Sequence, residues 1–181
     1  MDDLDGILAT KLNLKSPFGA VLDNVCDAVS HILVAMAVGM HYGGLCAWLS
    51  LIAAVSILVR VVSRLNSAVE TDAGSPTNEL MRHILFAIVV TQYFDIAPEP
   101  YLATAFVLNA IAMQVPFPLR YSIRSLAKSA TAVVGVNVAL GTAWWFPITS
   151  PVIAAVFVAT FIYSLVTEGL SSARAAIQNE V

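Results

Sequence analysis

Five of the chain's twelve acidic residues fall within its first 27 positions: Asp2, Asp3, Asp5, Asp23 and Asp27. Asp2 and Asp5 are three apart, and Asp23 and Asp27 are four apart, so on helices each pair shares a face. Carboxylates gathered in this way repel one another unless a cation neutralises them. An oxygen-only, sulfur-free donor set suits a hard divalent ion, Mg²⁺ or Mn²⁺. Two such ions can clamp the attacking and leaving oxygens of a phosphoryl displacement. Gly6, Ala9 and Gly19 stand beside the carboxylates, and side chains this small admit a ligand or another backbone. One at a time, these residues read as acidic caps of helix N-termini and a packing glycine. As a spaced set, they read as a site.

The elements that must position this set follow from composition. Of 181 residues, 59% are hydrophobic and only 12% charged, and the mean hydropathy is +0.81. Soluble domains carry about a quarter charged residues. This chain cannot cover a water-facing surface with polar groups, which excludes a soluble enzyme and a disordered chain alike. A bilayer span needs about 20 apolar residues, so the length allows one domain of six spans, 1–181, all-α and polytopic. The net charge of -3 argues against a nucleic-acid partner. Cys26 and Cys46 lie in apolar stretches and read as buried structural thiols.

Apolar runs place the spans at Gly19 to Tyr42, Leu45 to Val62, His83 to Ala97, Tyr101 to Val115, Ser129 to Phe146 and Pro151 to Val166. Asn66 to Asn78 reads as a loop, and Pro98-Glu99-Pro100 as a break. A short cytoplasmic tail, 167–181, follows, its end from Ser171 amphipathic or frayed. All nine Lys and Arg residues fall on one side of this arrangement: Lys11, Lys15, Arg60, Arg64, Arg82, Arg120, Arg124, Lys128 and Arg174. The opposite loops, near Gly43, Asp95 to Pro100 and Pro147 to Ser150, have none. The positive-inside rule therefore puts both ends, and the carboxylates, in the cytoplasm of a multi-pass cell-membrane protein.

The spacing Asp2-x-x-Asp5-Gly6-x-x-Ala9-Thr10, eight residues, then Gly19-x-x-x-Asp23-x-x-x-Asp27 resembles the CDP-alcohol phosphatidyltransferase signature. That signature is DxxDGxxAR, eight residues, GxxxDxxxD, and only Thr10 departs from it, standing where the family has Arg. The resemblance implies a membrane phosphotransferase of phospholipid biosynthesis. Such an enzyme moves a phosphatidyl group from a CDP-linked lipid donor, commonly CDP-diacylglycerol, to an alcohol acceptor and releases CMP. It also implies two Mg²⁺ or Mn²⁺ ions held by Asp2, Asp5, Asp23 and Asp27, with Asp27 as the general base. Gly6, Ala9, Thr10 and Gly19 would line the nucleotide site, membrane lipids would surround the protein, and a homodimer is expected.

Two departures qualify the expectation. Thr10 keeps a hydrogen bond to a donor phosphate but loses the charge and the two-pronged geometry of Arg. Lys11 or Lys15 can replace that charge or serve as interface anchors. In the family a further span precedes the DxxDG segment, so the resemblance implies about two helices upstream of Met1 and about eight spans in total. A catalytically inactive or truncated homologue is the alternative these departures raise. A carboxylate-based ion-binding transporter is a further one, disfavoured because the acids cluster at one face instead of at mid-membrane.

Other polar residues carry less. Arg60 and Arg64 share a face and can hold a phosphate or snorkel to the interface. His31, one turn past Asp27, can orient that carboxylate or serve packing. His41 and His83 read as interface residues, and Asn109 and Asn137 as polar groups that bond between helices.

Overall fold

A computed structural model describes residues 16–66, 76–115 and 130–179. The described residues form six α-helices: α1 (Pro17–Tyr42), α2 (Gly44–Asn66), α3 (Pro76–Phe94), α4 (Glu99–Gln114), α5 (Ala130–Trp145) and α6 (Ser150–Asn179). A short 3₁₀ turn, Pro147–Thr149, joins α5 to α6. The all-α bundle expected from composition is the fold. Val21–Tyr42, Gly44–Ser63 and Pro147–Arg174 are long and apolar enough to cross a membrane, and Thr131–Trp145 is a shorter apolar helix.

Local chemistry sets the helix ends. Ser16 caps α1, its Oγ accepting from the Gly19 amide at 3.0 Å, and Pro17 follows in the first turn, where no amide is needed. A Cβ on Gly19 would come within 3.0 Å of that Oγ, so glycine leaves room for the cap. α1 and α2 are joined by one residue, Gly43. Gly43 (φ 67) and Gly44 (φ 51) both take backbone angles that suit glycine, which makes so short a reversal possible. α1 and α2 then lie against each other along their length. At Gly39 the backbones are so close that a Cβ would collide with the Ser50 side chain and approach the Cys46 carbonyl oxygen to 2.8 Å.

The main core is built from α1 to α4. Ala28 and Ala35 meet Ala53 and Ile57, Leu80 and Ile84, and Leu102 and Phe106. Small residues on α1 and α2 bring the backbones together, while Leu and Phe on α3 and α4 fill the remaining space. A second cluster, Phe86, Ala143 and Phe157, binds α5 and α6 to α3. The outward faces are apolar too: Leu33, Trp48, Val138 and Val152 are exposed. In water such a surface would drive association, whereas in a bilayer it meets lipid. Trp144 and Trp145 close α5 with exposed rings, as at a membrane interface.

Several boundaries differ from the sequence reading. α3 begins at Pro76, not His83, so Thr77 to Arg82 belongs to the helix instead of to a loop or its flank. Those polar residues are tolerated there because Thr77, Glu79 and Arg82 are buried and Arg82 donates to Glu79 at 2.8 Å. α6 continues past Val166 to Asn179 without interruption. Cys46 is buried, its Sγ donating to the Glu99 carbonyl at 3.4 Å, but Cys26 is exposed on α1, contrary to the expectation of two buried thiols.

Candidate active site

Gly19, Asp23 and Asp27 succeed one another at intervals of four along α1, forming a ladder on one face of its first three turns. Asp23 is exposed and Asp27 half-buried. Ala28, next to Asp27, is packed into the core against α2 and α3, which anchors this part of α1. His31, one turn further, is half-buried on the same face. The ladder begins at a capped helix start, where the first amides of α1 carry partial positive charge that favours anions nearby.

Asp2, Asp5, Gly6, Ala9 and Thr10 lie outside the described residues, as do Lys11 and Lys15. Among the described residues no group of three His, Cys, Asp or Glu side chains gathers into a metal-binding cluster. Asp23 and Asp27 nonetheless supply the right donor chemistry, carboxylate oxygens four residues apart on one helix. This fits a hard divalent cation.

The end of the bundle that carries the ladder also carries cations. Arg60, near the end of α2, is half-buried and donates from Nη1 to the Val115 carbonyl, at the end of α4, at 3.3 Å. A free carbonyl at a helix C-terminus is a natural acceptor for such a cation. Arg82 pairs with Glu79 and stacks over Phe157 of α6, its guanidinium carbon 5.8 Å from the ring centroid. Arg60, Arg82 and Arg174 all lie away from the turns at Gly43, Asp95 and Phe146.

The match to known proteins falls on this ladder and the helices that hold it. A CDP-alcohol phosphatidyltransferase family model matches residues 1–116, well over half of the chain. The chain belongs to the CDP-alcohol phosphatidyltransferase family. Phosphotransfer of the CDP-alcohol class is that family's activity, and the family is generally divalent-metal dependent. An uncharacterized protein of Aquifex aeolicus (strain VF5) is 51% identical over 41 residues, which cover 23% of this chain and 21% of that protein. The chain therefore spans about a fifth of that relative's length. No solved structure matches the chain.

Sequence reasoning did not find two buried polar pairs. One is Glu79 with Arg82. Their spacing of three is the signal that could have disclosed it. The other joins His83, which is buried, to Asn109 of α4: Asn109 Nδ2 lies 2.9 Å from His83 Nδ1. Asn109 thus bonds between helices as expected, whereas Asn137 bonds within α5, donating to the Val133 carbonyl at 2.9 Å.

Proposed function

We propose that this chain transfers a phosphatidyl, or other substituted phosphate, group from a CDP-linked lipid donor such as CDP-diacylglycerol to an alcohol acceptor. The acceptor oxygen forms the new bond to phosphorus, the bond to CMP breaks, and CMP leaves. The ladder Gly19, Asp23, Asp27 on α1, at the signature's sequence spacing from Asp2 and Asp5, supports this reading.

Asp27 is the group that takes the proton from the acceptor hydroxyl as it attacks. Being half-buried, it is held in place by the core packing of Ala28. Asp2, Asp5, Asp23 and Asp27 would hold one or two Mg²⁺ or Mn²⁺ ions, which supply the positive charge that the donor pyrophosphate requires. Gly6, Ala9 and Gly19 leave space for the nucleotide, and Thr10 offers it a hydroxyl. The one-sided basic residues support a site facing the cytoplasm, where a water-soluble acceptor meets a lipid donor whose tails stay in the bilayer. A homodimer is part of the same proposal, consistent with the broad apolar outer faces.

Thr10, in place of the signature Arg, favours a second reading, an inactive homologue. The two separate on CMP release by the purified protein with CDP-diacylglycerol and Mn²⁺, tested across serine, inositol, glycerol phosphate and choline. Turnover on any of them supports the enzyme. Silence on all four, with any upstream helices present, supports the inactive homologue.

A further inference from the structure

α6 runs for 30 residues, from Ser150 to Asn179, and lies outside the stretch that matches the family model. At about 1.5 Å per residue it measures about 45 Å. The hydrocarbon core of a bilayer is only about 30 Å thick, and about 20 residues cross it. α6 starts beside the exposed rings of Trp144 and Trp145, so the part from Leu170 onward projects past the lipid tails. The helix is unbroken there, so this end does not fold down onto the membrane surface.

The projecting end is nonetheless apolar along one stripe. Leu170 and Ile177 are 56% and 65% exposed, and Ala173 between them is exposed too. Ser171, Arg174 and Gln178, also exposed, fall on a neighbouring stripe, so apolar and polar side chains are segregated. Counting back from Leu170 in alternating steps of four and three gives Val166, Tyr163, Ala159, Val156 and Val152, all exposed. The core-facing side is separate and holds Phe157, Phe161 and Ser164. An apolar stripe that keeps this alternation for more than three heptads has the spacing of a coiled-coil seam, with Val156, Tyr163, Leu170 and Ile177 at a and the others at d. Lipid tails require no such period, and past the hydrocarbon there are none to cover Leu170 to Ile177.

We propose that this stripe is the seam between two copies of the chain, their α6 helices paired as a parallel two-stranded coil. The inference rests on the homodimer reading and gives that dimer its contact surface. A second copy inserted in the same membrane has the same orientation, so its α6 is parallel. A two-fold axis along the membrane normal then sets each a or d residue against its own counterpart. Ala159 and Ala173 at d, with Gly169 beside the seam, let two backbones approach closely. A bundle of three or more strands would leave voids at those two layers. Within the hydrocarbon the seam holds by packing, and beyond it by withdrawing Leu170 and Ile177 from water. Arg174 stays at the rim, in water.

The test uses the full chain carrying Cys26→Ala, in proteoliposomes at high lipid-to-protein ratio, with one added cysteine at a time and mild oxidation. Leu170→Cys, Ala173→Cys and Ile177→Cys are expected to give about fivefold more covalent dimer than Ser171→Cys and Gln178→Cys, whose Cβ atoms point away from the partner. The mass of the unaltered chain in detergent reads the homodimer separately. A dimer with no cross-links, or with equal yields at all five positions, would overturn the α6 seam and leave the homodimer reading standing. A monomer would overturn both. Ile177→Glu lies at an exposed position near the helix end, so the fold tolerates it. It is expected to raise the dimer dissociation constant at least about tenfold. An unchanged dissociation constant would also overturn the seam.

Discussion

Asn109 Nδ2 meets His83 Nδ1 at 2.9 Å, tying α4 to α3 between residues 26 apart in sequence. Within a bilayer such an interhelical bond contributes about 0.6–2 kcal/mol, because the separated helices also find partners. Asn109→Leu should therefore lower stability by about 1–2 kcal/mol. A double-mutant cycle with His83→Phe, read by denaturant unfolding in detergent, should return a coupling of that order. A coupling near zero would show that the pair is formed without holding the helices.

The pair Glu79–Arg82 should behave asymmetrically. Both side chains are buried, Glu79 to 1% exposure, and their bond is 2.8 Å. Arg82→Gln leaves the Glu79 carboxylate buried without its cation and should cost about 3 kcal/mol. Replacing both residues by Met should recover most of that loss, because an apolar pair needs no compensating charge. Thermal unfolding of the two variants side by side checks the order.

Gly39 fixes how closely α1 and α2 approach. Gly39→Ala should push the helices apart at Ser50 and the Cys46 carbonyl, costing about 1–3 kcal/mol. Adding Ser50→Gly removes the clashing side chain, so it should restore part of the loss. The remainder reflects the Cys46 backbone, which cannot be trimmed. Unfolding midpoints of the single and double variants give the split.

On the proposed mechanism, Asp27→Asn should reduce CMP release by about 10²- to 10⁴-fold. Mn²⁺ binding, followed by paramagnetic resonance, should persist if Asp2, Asp5 and Asp23 suffice to hold the ion. Loss of binding together with turnover would assign Asp27 mainly to the metal instead of to proton transfer.

Thr10→Arg should lower the donor KM about tenfold by adding a charge-assisted contact to a phosphate. An unchanged or higher donor KM would exclude position 10 from phosphate binding.

Much of the fold can be read from the sequence because apolar length and proline breaks are local signals. Pro98 and Pro100 mark the α3–α4 junction, and the Gly43-Gly44 pair marks the α1–α2 reversal. The start of α3 was hidden because Thr77, Asn78, Glu79 and Arg82 look like loop residues until Arg82 is seen to neutralise Glu79 inside the bundle. The exposure of Cys26 was equally hidden: an apolar span has lipid-facing and core-facing sides, and composition alone does not separate them. At the candidate site, Gly19, Asp23 and Asp27 were legible because a spacing of four fixes a helix face whatever the surroundings. The His83–Asn109 pair was not, since it needs two helices distant in sequence to converge.

The single-residue link at Gly43 also bears on how the protein enters the membrane. Along 41–45 the chain reads His41, Tyr42, Gly43, Gly44, Leu45, with no carboxylate, lysine or arginine. Moving a charged side chain to the centre of a bilayer costs about 2.5–3.5 kcal/mol on insertion scales. α1 and α2 can thus be driven in as one hairpin, tip first, without carrying a fixed charge through the hydrocarbon. Asp23 and Asp27 at one leg and Arg60 at the other stay on the side from which the hairpin entered. Insertion itself thereby delivers the carboxylate ladder and its neighbouring cation to the same surface.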